Sequence, residues 1–379
     1  MRKLLKNKRQ ILRHICLIIA SIFLVILNLK KIVKPRLKNN ALLLVKYGNL
    51  GDIYITIDQL KKFDLDNSEY QITIAVPEAY SSLVKAYFPN QEVLCLPNLR
   101  TGSFVSFLNG LVAISSRYFA ILLLLGGSAS PIQEDLCVVF ACARNKFRVH
   151  PDSSKGNVFT RIISRQFYDK SIKLVSLFEA DIIFEQLALL FEKNPVLLSK
   201  PNTSGTADHN TCVLICPGAS LRERRWTVKT LIGVINQIKD LDIGANITVL
   251  GTKIDGAGYS DLTSFFIANK INLKFNNYEL SYLEAKIISS DIVITNDAAP
   301  MHIARMYRCP MVVMSGQGHV SRFVGEANFG LTQLDCANCN WRCKYDHIGE
   351  NFPCVERLGN KEQLDEFREL FRRALESIR

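Results

Sequence analysis

Two doubly wound α/β domains facing a central cleft are what this sequence predicts, and three observations lead there. At 379 residues the chain exceeds what one hydrophobic core usually supports. From residue 41 onward, short apolar runs alternate with amphipathic stretches, the pattern of strands feeding helices. A polar segment at 200–210, KPNTSGTADHN, then interrupts one such series, and a second begins at once. Hydrophobic residues make up 48% and charged residues 22%, an ordinary globular balance that argues against disorder on a large scale.

In the first series ALLLVK (41–46) reads as a buried strand, followed by a glycine turn and a helix over 52–63. QITIAV (71–76) is a second strand, 77–88 a helix and EVLCL (92–96) a third strand. Residues 103–116 read as helical, YFAILLLL (118–125) as a central strand, 132–143 as a helix and 172–192 as a long amphipathic helix. In the second series strands fall at 211–216, 246–251, 271–275, 291–295 and 310–315, with helices at 227–240, 258–269, 280–289 and 300–307 between them. A cysteine-rich segment and a charged helix, 361–378, follow.

The net charge of +12 is concentrated in one place. Residues 1–40 hold eleven Lys and Arg and no acid, so the rest of the chain is close to neutral. A nucleic-acid-binding body would need its own basic face, and nothing past residue 40 demands one. Between the basic clusters, residues 15–29 (ICLIIASIFLVILNL) are apolar apart from Ser21 and Asn28. As a helix they cover roughly 22 Å, short of the ~30 Å hydrocarbon core. A short spanning anchor and a helix lodged in one leaflet with its cations on anionic lipid both remain open. No small-residue cleavage site follows the run, which argues against a secretory signal. The eleven cysteines mostly stand singly inside apolar runs, which suits a reducing compartment. The expected location is the cytoplasmic face of a membrane.

Three strand-to-helix turns carry unusual residues, and such turns are where α/β proteins bind ligands. The first is Lys46-Tyr47-Gly48-Asn49-Leu50-Gly51-Asp52, where Asp52 either caps the helix or presents a carboxylate that takes a proton from a hydroxyl. The second is Pro217-Gly218-Ala219-Ser220, followed by Arg222, Arg224, Arg225 and Trp226. It suits a diphosphate, since arginine binds phosphate bidentately and helix N-termini add backbone donors, and it also reads as a solvated basic turn. The third is Asn296-Asp297-Ala298-Ala299-Pro300-Met301-His302, with proline in a favoured first-turn position. Small residues there allow close approach of a ligand, while a lone histidine is often a core or surface group.

In this order, G-x-x-G-D, P-G-A-S…R-R-W and N-D-x-x-P-M-H, the chain resembles glycosyltransferase family 9 over residues 41–360. That family includes the ADP-heptose:lipopolysaccharide heptosyltransferases, of GT-B fold. The resemblance implies domains at 41–199 for the acceptor and 200–360 for the nucleotide sugar, flanked by the 1–40 anchor and the 361–379 helix. It implies Asp52 as base, with Gly48, Asn49 and Gly51 forming the acceptor-side turn. It further implies Ser220, Arg224, Arg225, Asp297, Ala298, Ala299 and His302 at the donor. The reaction would be one inverting displacement onto a lipid-linked glycan such as lipopolysaccharide core, on the bacterial inner membrane. No catalytic metal is required if the arginines and a helix terminus hold the diphosphate. Two departures stand out: Ala298-Ala299 where the family has Ser or Thr then Gly, and Gly316-Gln317-Gly318 where it has Gly-Pro-Thr.

Cys336, Cys339, Cys343 and Cys354 form a cluster outside those turns, read either as structural zinc or as plain thiols or a redox pair. Two further functions compete with the transferase: a catalytically silent scaffold of the same fold, and a nucleotide-sugar epimerase. A nicotinamide dehydrogenase fits least, because no G-x-G-x-x-G follows a strand.

Overall fold

The computed structural model describes residues 40–96, 104–126, 131–149, 170–172, 178–191, 210–221, 224–242, 244–252, 259–275, 279–316, 329–331 and 352–378. The chain divides into two compact units, Met1–Ser176 with Ala180–Pro195, and Leu177–Glu179 with Val196–Arg379. The anchor expected at 15–29, residues 200–209 of the linker expected at 200–210, and Cys336, Cys339 and Cys343 lie outside the described residues.

The first unit is a six-stranded parallel sheet of order β3-β2-β1-β4-β5-β6. Its strands are β1 (Ala41–Val45), β2 (Gln71–Pro77), β3 (Glu92–Leu96), β4 (Tyr118–Leu124), β5 (Cys142–Val149) and β6 (Lys170–Ile172). Every residue of β1 is buried, as a central parallel strand covered on both faces requires. The helices are α1 (Leu50–Leu60), α2 (Ser81–Tyr87), α3 (Phe104–Ser115), α4 (Pro131–Phe140) and α5 (Glu179–Ala188).

The second unit repeats the plan with β7 (Cys212–Cys216), β8 (Asn246–Gly251), β9 (Asn272–Phe275), β10 (Ile292–Thr295), β11 (Met311–Ser315) and β12 (Phe329–Leu331). They are ordered β12-β11-β10-β7-β8-β9, all parallel. Counted from its own first strand, this is again 3-2-1-4-5-6, the order of dinucleotide-binding sheets. Its helices are α6 (Val228–Leu241), α7 (Thr263–Ala268), α8 (Leu280–Ile288), α9 (Ala299–Met306), α10 (Pro353–Glu356) and α11 (Lys361–Ile378).

α6 buries Leu231, Val234, Ile235 and Ile238, one stripe at helical spacing. Thr227 caps it, its side chain accepting from the Thr230 amide at 3.2 Å. α11, set apart from the second domain in the sequence, contributes Phe367, Leu370, Phe371, Ala374 and Leu375 to that domain's core.

Three strands differ from the sequence expectation. β5 occupies 142–149, where the sequence suggested the end of a helix; Arg144, Asn145 and Lys146 break the apolar run that marks a buried strand. Lys146 is nonetheless buried, its ammonium donating to the Val138 carbonyl at 2.6 Å. The helix expected over 172–192 is shorter, with β6 before it, and β12 is too short to leave a pattern.

Candidate functional site

In each sheet the chain reverses direction of winding beside its first strand, between β1 and β4 and between β7 and β10. Ligands of open α/β sheets bind outside the carboxyl ends of the strands at that point. All three motif turns follow one of these strands: 48–52 follows β1, 217–226 follows β7 and 296–298 follows β10.

At the β1 turn, Asn49 caps α1 and its backbone N–H donates to Asp52 Oδ2 at 2.8 Å. Asp52 is half-buried at the third helical position, so its carboxylate completes a capping box. The capping and proton-accepting roles are compatible, because a carboxylate has about four lone-pair sites and this bond uses one. Gly48 is fixed by crowding, since a Cβ there would lie 2.5 Å from Asp52 Cβ and 2.7 Å from its Oδ2. Gly51 occupies the first turn of α1.

Residues outside the G-x-x-G-D pattern surround this turn. Lys46 is 1% exposed, and its ammonium donates to the Leu125 carbonyl at 3.2 Å. Gln186, from α5, donates through Nε2 to the Leu124 carbonyl at 2.8 Å and accepts from the Gly126 amide at 2.6 Å. This bridge holds the end of β4 where the backbone turns left-handed, with Gly126 at φ 70°. Tyr80 stands at the end of the short turn after β2; burial, and then the Asp52 carboxylate, push its phenol up. Beneath the turn the Tyr47 hydroxyl meets Cys137 Sγ at 3.3 Å. Burial pushes the Cys137 thiol up to about 12, so it stays protonated and serves packing rather than nucleophilic attack.

At the carboxyl ends of β7 and β10, Arg224 and Asp297 come together. The Arg224 guanidinium donates to the Asp297 carbonyl at 2.9 Å and lies 3.7 Å from the Asp297 carboxylate. Asp297 is 2% exposed. Asn296 lies under the loop, its Nδ2 donating to the carbonyls of Pro217 (3.1 Å), Gly218 (3.1 Å) and Arg224 (2.7 Å). Arg225 donates through Nε to the Ala219 carbonyl at 2.7 Å, and Ser220 is exposed on the same loop. Trp226 anchors the loop's end, its indole N–H donating to the Met314 carbonyl at 3.1 Å.

Ala298 is the N-cap of α9 and has no side chain to cap with, and Ala299 and Pro300 open the helix. His302 lies within the same helix, buried. Burial, then Arg305 and Arg224, lower its pKa to about 3, so it is neutral at physiological pH. The sign of the linkage follows. The unfolded histidine takes a proton below about pH 6.5 and the folded one does not, so stability is lost as pH falls from that value toward 3. Relative to pH 8, the protein at pH 5 should be less stable by about 2 kcal/mol on this account. Urea unfolding of the wild type and His302→Gln at both pH values checks it, and equal acid sensitivity in the two would contradict it.

Of the cysteine cluster only Cys354 is described, buried in α10. The backbone of Cys354 and Val355 lies against Gly316, where a Cβ would come within 2.8 Å of the Cys354 carbonyl. Among the described residues no group of three or more His, Cys, Asp or Glu could hold a metal ion.

The sequence matches no family model, and it matches no curated protein. Solved structures do resemble it. A glycosyl transferase family 9 protein from Veillonella parvula aligns with a TM-score of 0.61 at 15% identity, over 89% of this chain and 97% of that one. The ADP-heptose lipopolysaccharide heptosyltransferase II of E. coli aligns at 0.59 and 13% identity, over 89% and 99%. The E. coli heptosyltransferase WaaC, solved with ADP, aligns at 0.57 and 13%, over 82% and 98%. The fold is that of the heptosyltransferases. Within the heptosyltransferase fold, then, this chain has two sheets of one strand order. The three motif turns stand at their switch points.

Proposed function

We propose that the chain is an inverting glycosyltransferase that moves a sugar, in the first reading a heptose, from a nucleoside diphosphate to a lipid-linked glycan. The observation that carries this reading is the placement of Arg224 against Asp297 at the switch point of the second sheet. An arginine held there can meet the charge that builds on a departing diphosphate, with Arg225 and the N-terminus of α9 as further donors. Asp52, oriented by the Asn49 amide, takes the proton of the acceptor hydroxyl as that oxygen attacks the anomeric carbon. The fold supports the reading, because relatives of that fold include a heptosyltransferase solved with ADP.

The lipid-linked acceptor and the inner-membrane location rest on the basic, apolar segment at 1–40. Among the described residues no helix is long and apolar enough to cross a membrane. The reaction is assayed with purified protein, lipopolysaccharide-core acceptor in vesicles, and ADP-, UDP-, GDP- and CMP-sugars in turn. A donor at a hundred times its Kd should stabilise the protein by about 2.7 kcal/mol, raising its melting temperature. Transfer should follow with that donor alone. No shift and no transfer with any of them would overturn the reading.

One observation favours a second reading, a silent scaffold of the same fold. Ala298 and Ala299 offer α9 no hydroxyl, and the cap is unmade by any side chain. Donor binding without transfer, across the same panel, would select it.

A further inference from the structure

We infer that Asn296 is a positioning residue of the donor site, and that it holds the Pro217–Arg224 loop in the form that grips a diphosphate. The inference rests on the proposed nucleotide-sugar reading of that site.

Asn296 is 1% exposed at the end of β10, next in chain to Asp297. Its amide nitrogen faces three main-chain carbonyls, those of Pro217, Gly218 and Arg224, across 79, 78 and 72 residues of sequence. These acceptors fix the amide's orientation, since the flipped form would set an oxygen against three oxygens. Arg224 is thereby gripped at both ends. Asn296 holds its main-chain oxygen at 2.7 Å, and Asp297 accepts from its guanidinium at 2.9 Å. Two consecutive residues of one turn therefore set both the position and the aim of the arginine proposed to meet phosphate.

The arrangement carries one cost. Asn296 Oδ1 is buried and has no hydrogen-bond partner among the described residues. An orphaned polar atom of this kind is destabilising. An apolar residue of similar size would remove that cost but leave three carbonyls of the loop without this donor. The amide serves the loop.

Asn296→Asp tests this, because it keeps the shape and exchanges the donor for a titrating group. Ionised, the new carboxylate faces three carbonyl oxygens and pushes the loop away. Protonated, it regains one O–H donor. Burial and those carbonyls raise its pKa, so protonation falls within reach of a binding assay. Nearby, Arg224, Arg225 and Arg305 stay charged throughout, and His302 stays neutral. Asp297 is next in chain, so in the variant the two carboxylates titrate as a pair, and the like charge raises the new carboxyl further.

The measurement is isothermal titration with ADP, or with whichever of UDP, GDP and CMP the wild type binds, from pH 8 to pH 6. At pH 8 the variant should bind about tenfold more weakly than wild type, because the loop loses its amide contacts and faces a carboxylate instead. The ratio should shrink severalfold by pH 6. Asn296→Ser, which keeps one donor, should bind with intermediate affinity at every pH, and it carries the test if the aspartate variant fails to fold. Wild-type binding with a ratio near one, or a deficit that ignores pH in the aspartate variant and is absent in the serine variant, overturns the positioning role. A wild type that binds none of the four nucleotides overturns the donor-site reading itself, and this inference with it.

Discussion

Asp52→Asn is expected to slow sugar transfer by about 10²–10⁴-fold, the usual contribution of a general base, while leaving nucleotide affinity near that of wild type. The substitution is nearly isosteric, which matters because Asp52 sits against Gly48 with no room to spare. Its structural duty survives as well. The asparagine carbonyl can accept the Asn49 N–H that Oδ2 now accepts at 2.8 Å, so α1 keeps its cap. What is lost is the capacity to take a proton. A loss of kcat with unchanged nucleotide Kd and unchanged melting temperature would match this account. Normal turnover by the variant would remove Asp52 from the chemistry and leave it as a cap alone.

Arg224→Ala should weaken nucleotide binding by about 10–100-fold, the equivalent of 1.5–3 kcal/mol for hydrogen bonds to a charged group. It should also destabilise the second unit, for a separate reason. The Arg224 side chain is 19% exposed and that of Asp297 only 3%, so removing the cation takes a counter-charge from a buried carboxylate. Breaking such a pair from one side costs about 3–5 kcal/mol, less here because the arginine is partly solvated and the 3.7 Å contact is loose. The double variant Arg224→Ala with Asp297→Asn separates the two effects. Stability should largely return, since no buried charge remains, and nucleotide affinity should stay low. Recovery of affinity in the double variant would show that the arginine acts only by neutralising Asp297.

The parts of the fold legible in the sequence are those whose signal is local. β1, β7 and β10 are buried runs, apolar but for Thr295, ending at turn residues, and they are the strands that position the three motifs. β5 was hidden because a buried lysine there is satisfied by a carbonyl eight residues away, which no hydropathy pattern displays. The site divides along the same line. Asp52, Arg224 and Asp297 stood out as charged residues at turns. Asn296 was visible as part of the third turn but its role was not, and Gln186 and Tyr80 did not stand out at all, because their partners lie on other elements of the sheet edge. One clue to Asn296 was present: an amide directly after a mostly apolar four-residue strand is a polar group bound for burial, and it needed a distant partner.

The packing of α11 bears on how the protein is made. Phe367 and Phe371 fill a core whose first strand, β7, leaves the ribosome long before them. At about 5–20 residues per second, synthesis of the intervening chain takes on the order of ten seconds. The first unit has its own core and can close during that interval. The second must wait with apolar surface showing, and that nascent half is where a chaperone would find its grip.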